Sequence, residues 1–170
     1  MEIKKQKGFT IIEIVVVVGI LGVIAVIGTN MFFTVIRGSN KSKNLTTVKQ
    51  NGEYALSVME RMIRNSSTII TNSDGDICES GMVKIKIMDS DKQETEFEFV
   101  DDYIASNSSR MTSDQVKVTS GVFNCDNSTG DFNPKTIVID FTLDQNISPT
   151  SRVEEEASIN FKTTIETRNY

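Results

Sequence analysis

Between Lys7 and Arg37 the sequence carries a single charged residue, Glu13, near the start of an apolar run that ends at about Ile36. A carboxylate inside a bilayer costs on the order of 2.5–3.5 kcal/mol unless it is paired or lies at the interface. A plain anchor would place Leu or Val there. The chemistry open to Glu13 is therefore charge pairing: opposite charges in a low-dielectric medium attract strongly, whereas either one alone is costly. Five residues earlier, Gly8-Phe9 follows a short leader with Lys4, Lys5 and Lys7 against Glu2.

Catalytic chemistry has little material here. The chain has no histidine, so the commonest general base and the commonest metal ligand are absent from the sequence. No glycine-rich phosphate loop follows a strand pattern, and paired carboxylates such as Asp101-Asp102 have no apolar context to raise a pKa. Asn72-Ser73-Asp74-Gly75-Asp76 lacks the full calcium-loop spacing and the downstream glutamate, so it reads as an acidic surface turn. Glu154-Glu155-Glu156 reads as a solvated approach to the last strand. The expectation is a protein that is not an enzyme, with no cofactor and no metal. The two cysteines, Cys78 and Cys125, fall in the distal half. If that half is exported they can form a disulfide; the alternative is two buried free thiols.

The apolar run must position Glu13. About 28 residues from Phe9 to Ile36 make a helix of roughly 42 Å, enough to cross a hydrocarbon core of about 30 Å. Its β-branched composition would suit a strand in water, but length and the need to satisfy backbone groups in lipid select a helix. The run is too long for a secretory signal core, and no Ala-x-Ala cleavage pattern follows it. From 37 to 66, Leu45, Val48, Ala55, Leu56, Met59, Met62 and Ile63 recur at mostly three- and four-residue spacing, an amphipathic continuation. Gly38-Ser39-Asn40 and Asn51-Gly52 are points where the helix could bend or break. The reading is one long helix from about Thr10 to Ser66.

Beyond Ser67 the period becomes two. Val83, Ile85 and Ile87 alternate with Lys84 and Lys86. Phe97 and Phe99 alternate with Glu96 and Glu98 across an Asp89-Ser90-Asp91-Lys92 turn, which predicts a hairpin with Lys–Glu pairs on its outer face. Val116 and Val118, then Ile137 to Leu143, then Ala157 to Ile165, predict three more strands. Five antiparallel strands against the helix stripe give a two-layer α+β domain. Residues 1–70 carry a net +5 and residues 71–170 a net −10. An acidic distal half argues against a nucleic-acid partner.

The leader, the Gly8-Phe9 junction and Glu13 a few residues into an apolar helix resemble the prepilin signature of type IV pilins and pseudopilins. The resemblance implies cleavage between Gly8 and Phe9 by a prepilin peptidase, methylation of Phe9 at its new amino terminus, and Glu13 as the carboxylate that neutralises a neighbouring subunit's terminus. It divides the chain into a leader (1–8), a transmembrane and filament-core helix (9–36), an amphipathic continuation (37–66) and a β-rich domain (67–170). It implies other pilin or pseudopilin subunits, an inner-membrane assembly platform and membrane lipid as partners. The place implied is the bacterial inner membrane, crossed once, with the globular domain outside the cytoplasm and a filament as destination. Gly52 to Leu56, Met59 to Arg64 and the ending Phe161 to Asn169 are similar to J-type pseudopilins of type II secretion and related minor pilins. Two alternatives remain open at this level: a pilus-tip adhesin or uptake module, and an unprocessed single-pass membrane protein.

Overall fold

The computed structural model describes residues 8–70, 80–126, 136–146 and 156–167. The chain divides into two compact units, Met1–Asn40 and Lys41–Tyr170. Helix α1 (Ile11–Asn65) runs through the first and opens the second. The layout is α+β: one long amino-terminal helix with antiparallel sheets.

In the first unit the apolar side chains from Ile11 to Ile36 are exposed, Ile11 at 84% and Met31 at 70%. The helix is long and apolar enough to cross a membrane, and none of its most apolar window is buried. Its two threonine hydroxyls are satisfied within the helix. The Thr29 hydroxyl donates to the Ala25 carbonyl at 2.8 Å and the Thr34 hydroxyl to that of Asn30 at 3.0 Å, so neither exposes an unmet donor to an apolar medium.

Asn51-Gly52 does not break the helix, so the reading of one long helix holds: α1 spans Ile11–Asn65. The Asn51 amide group donates to the Thr47 carbonyl at 2.9 Å, and its oxygen accepts from the Ser113 N–H at 2.8 Å. Gly52 is buried, and a Cβ built there would overlap the ring of Phe161. The glycine makes room for an aromatic ring in an unbroken helix. Gly38-Ser39-Asn40 is likewise helical throughout.

In the second unit Val48, Ala55, Met59 and Ile63 are fully buried at spacings of seven, four and four, the inner face of the amphipathic continuation. Leu56 and Met62 pack at its margin, whereas Leu45 is 37% exposed and lies outside the core. Among the described residues eight strands follow, against the five expected. β1 (Thr68–Ile70), β2 (Lys84–Met88), β3 (Glu94–Val100), β4 (Tyr103–Ser106) and β5 (Ser109–Arg110) form one antiparallel sheet in that order. β6 (Val116–Asp126), β7 (Thr136–Gln145) and β8 (Ser158–Glu166) form a second. Among the described residues one isolated bridge, Met82 to Phe123, joins them.

The β2–β3 hairpin has the expected turn, with Ile85 opposite Phe97 and Lys86 opposite Glu96. Its outer-face pairs form: Lys84–Glu96 at 2.7 Å and Lys86–Glu94 at 3.4 Å. Val83 departs from the expected alternation. The strand starts one residue later, and Val83 is 54% exposed. The core between helix and sheets is mostly aliphatic and contains two stacked phenylalanine pairs. Phe99 stacks on Phe123 with centroids 4.6 Å apart, and Phe141 on Phe161 at 5.2 Å.

Two ion pairs give this unit a pH signature. The Asn160 amide donates to the Asp140 carboxylate at 2.9 Å and Lys162 faces it at 3.2 Å. That hydrogen bond first, and the ammonium second, hold the Asp140 carboxyl below its ordinary value. The hydrogen bond to Glu96 pushes the Lys84 amine up. A carboxyl lowered by folding stabilises above its unfolded pKa, and the contribution disappears as pH falls through the lower folded value. A raised amine stabilises fully below its unfolded pKa, and the contribution is lost as pH rises through the higher folded value. Asp140→Asn should therefore flatten the acid limb below about pH 4, and Lys84→Met the alkaline limb above about pH 10. Both groups are solvated, so each effect should stay within about 1 kcal/mol. Urea midpoints across the two pH ranges check this; a variant that changes the opposite limb contradicts the assignment.

Candidate functional site

The described amino-terminal segment begins at Gly8. Gly8, Phe9 and Thr10 precede the helix in irregular, exposed backbone. Thr10 is the residue that ends this segment. Its carbonyl accepts from the N–H of Glu13 at 3.1 Å and of Ile14 at 3.3 Å, and its hydroxyl lies 3.4 Å from the Glu13 nitrogen. This is an N-cap: Thr10 meets the Glu13 N–H, one of the first-turn donors that a helix otherwise leaves unmet. The Gly8–Phe9 peptide bond thus lies outside the helix, one residue before its cap.

Glu13 stands in the first turn of α1. A carboxylate there faces the positive end of the helix macrodipole, worth about 0.3–1 kcal/mol. Its side chain is exposed and has no hydrogen-bond or ion-pair partner among the described residues. Phe9, 77% exposed, lines one shallow groove together with Glu13, Ile14, Val17 and Val18. The structure therefore places Phe9 and Glu13 on one side of the helix start, with apolar Ile14, Val17 and Val18 around them.

The Thr10 cap is a functional feature that the sequence reading passed over. The signal was present: Thr10-Ile11-Ile12-Glu13 has the Thr-x-x-Glu spacing of a capping box before an apolar run.

The remaining sequence candidates lie elsewhere. Cys125 is in β6, 5% exposed, and is a disulfide cysteine. Cys78 lies outside the described residues, as do Asn72 to Asp76, leader residues 1–7, and Glu154 and Glu155. Glu156 is described and exposed. No carboxylate or thiol of the second unit comes near the Gly8–Glu13 segment in sequence, and nothing in that segment resembles a nucleophile with its base.

With this geometry in view, residues 3–29 match the family model described as the prokaryotic N-terminal methylation motif. The chain carries the type IV pilin and prepilin signature. The matched segment contains the Gly8–Phe9 junction, the Thr10 cap, Glu13 and most of the apolar run. The family that bears the motif is structural rather than catalytic. Its apolar helix fits a membrane anchor. No curated protein and no solved structure matches the chain.

Proposed function

We propose that this chain is a minor pilin or pseudopilin, made as a membrane-anchored precursor and matured by a prepilin peptidase. The peptidase cuts between Gly8 and Phe9 and methylates Phe9. The observation that carries the reading is the position of this bond: it lies in exposed, non-helical backbone just ahead of the Thr10 cap, four residues upstream of a lone carboxylate. A scissile bond held inside a helix would have to unwind first; this one does not. The amine released at Phe9 is the counter-charge for Glu13 of a neighbouring subunit, and pairing in a low-dielectric core neutralises both charges.

In this reading the α1 apolar face exchanges lipid for the helices of other pilin or pseudopilin subunits, guided by an inner-membrane assembly platform. Little hydrophobic free energy changes in the exchange, because both environments are apolar. The second unit stays outside the cytoplasm, where a Cys78–Cys125 bridge is stable. The α1 segment 52–64 and the β8 ending favour a J-type subunit among the candidates.

The test is the mass of the amino-terminal peptide from membranes of cells with and without a prepilin peptidase. The expected result is a peptide starting at methylated Phe9, seen only with the enzyme. A chain starting at Met1 in both samples overturns the proposal.

A further inference from the structure

Four side chains between Ile11 and Ile36 carry hydrogen-bonding groups: Glu13, Thr29, Asn30 and Thr34. Charge pairing uses Glu13, and the two threonines donate to carbonyls of their own helix. Asn30 is different in kind. A carboxamide presents two N–H donors and an acceptor oxygen. An α-helix has already committed the N–H of each interior residue to the carbonyl four residues back. The side chains one turn away from Asn30 are those of Val26, Ile27, Phe33 and Thr34. Only Thr34 carries a donor, and its hydroxyl is bonded to the Asn30 backbone carbonyl at 3.0 Å. A donor for the Asn30 amide oxygen therefore has to come from outside α1.

Depth and pattern indicate the source. Asn30 lies about 9 Å before the end of the apolar run at Ile36, where an amide without a partner is strongly disfavoured and another helix is the available donor. Val16, Val23 and Asn30 recur at every seventh position, with Gly19 and Val26 between them. All five are exposed. At about 100° per residue, the other four point within about 40° of the Asn30 direction, so they form one stripe. Valines at one heptad position with a single asparagine among them suit two parallel helices, in which the asparagines meet and fix the register. Membrane helix pairs mostly keep the same left-handed geometry, and a small residue such as Gly19 lets the backbones approach. A carboxamide is also its own complement, since each N–H can donate to the other's oxygen. A second copy inserted in the same direction brings its Asn30 to the same depth. An antiparallel copy with the apolar runs aligned leaves the two amides roughly 24 Å apart.

We propose that two parallel copies of α1 associate in the membrane through the stripe from Val16 to Asn30, with their Asn30 carboxamides hydrogen-bonded to each other. The proposal rests on the reading of α1 as membrane-spanning. It goes beyond that reading in naming the partner, a second copy of this chain, and the residue that sets the register.

Ser39 is exposed and lies about 180° around α1 from Asn30, so a Ser39→Cys variant of the full-length protein carries a label clear of the stripe. Labelling without reductant spares the disulfide cysteine Cys125. Copies bearing a donor or an acceptor fluorophore are mixed in phosphatidylcholine vesicles. Resistance to alkaline carbonate extraction is measured first, and energy transfer is then followed as lipid is added. Transfer should exceed that of randomly mixed labels. Half-association should need about 5–30-fold more protein per lipid in Asn30→Val, the range set by interhelical side-chain hydrogen bonds in model membrane peptides. Asn30→Gln keeps the carboxamide and should associate within about threefold of wild type. Extraction by carbonate overturns the membrane-spanning reading and the pairing with it. A chain that resists extraction yet shows only random transfer overturns the pairing alone. Association of Asn30→Val equal to wild type, or a loss in Asn30→Gln as severe as in Asn30→Val, removes the amide hydrogen bond and overturns the proposal.

Discussion

Replacing Gly121 by Ala should destabilise the second unit by about 3 kcal/mol, the upper end of what overpacking of a core usually costs. Gly121 lies in β6 opposite Phe141, just past a register shift between Val118 and Ser120. A Cβ built there would overlap the near edge of the Phe99 ring. That ring cannot swing aside, because it is stacked on Phe123 and tilted against Phe141 at 5.7 Å. Gly52→Ala meets a similar obstacle in Phe161, but there the overlap is with the far end of the ring. Alanine in a helix also recovers about 1 kcal/mol relative to glycine. Gly121→Ala should therefore be the more damaging of the two, and Phe161→Leu should partly rescue Gly52→Ala in a double-mutant cycle. Urea midpoints of the full chain in detergent give the order. A wild-type midpoint for Gly121→Ala would mean that the Phe99 ring has room to move, and would remove the basis of the argument.

These two glycines also show where reading the sequence reaches its limit. Asn51-Gly52 reads as a weak point in the long helix because glycine's cost is local and visible. Its benefit, a ring from β8 more than a hundred residues later, is not. The strands divide in the same way. β2, β3, β7 and β8 alternate cleanly in burial and were legible at a period of two. β4 buries the adjacent residues Ile104 and Ala105, which breaks the alternation, and β5 is two exposed residues. The turn between them, Asn107-Ser108, has positive φ at both positions, 48° and 64°. That is the form of a two-residue hairpin turn, but serine is a weak signal for it. Asn107 is held there by its neighbours: its N–H donates to the Glu96 carbonyl and its side-chain oxygen accepts from the Glu96 N–H, both at 2.8 Å. The Met82–Phe123 bridge that joins the two sheets is a long-range register that no local pattern encodes. At the amino terminus the charge in the apolar run was read from the sequence and the cap three residues before it could have been, because both features are local.

Glu13→Ala should leave membrane insertion and cleavage unchanged and reduce incorporation into filaments by about 100-fold. Two roles for the carboxylate compete, and their magnitudes separate them. As a first-turn acid Glu13 stabilises its own helix end by about 0.3–1 kcal/mol, too little to change incorporation by more than about fivefold. As the partner of an amine in an apolar filament core its removal leaves a buried charge unpaired, at about 3–5 kcal/mol. Two companion variants complete the argument. Glu13→Gln keeps the shape and loses the charge, so it should fail like alanine. Thr10→Ala keeps the charge and loses the cap, at about 1 kcal/mol, so it should incorporate within several-fold of wild type. Quantifying each variant in sheared filaments against its cleaved membrane pool gives the ratios. If Thr10→Ala fails as badly as Glu13→Ala, the segment matters for the start of the helix and not for charge pairing. If Glu13→Gln incorporates normally, no amine depends on this carboxylate, and the pairing role falls.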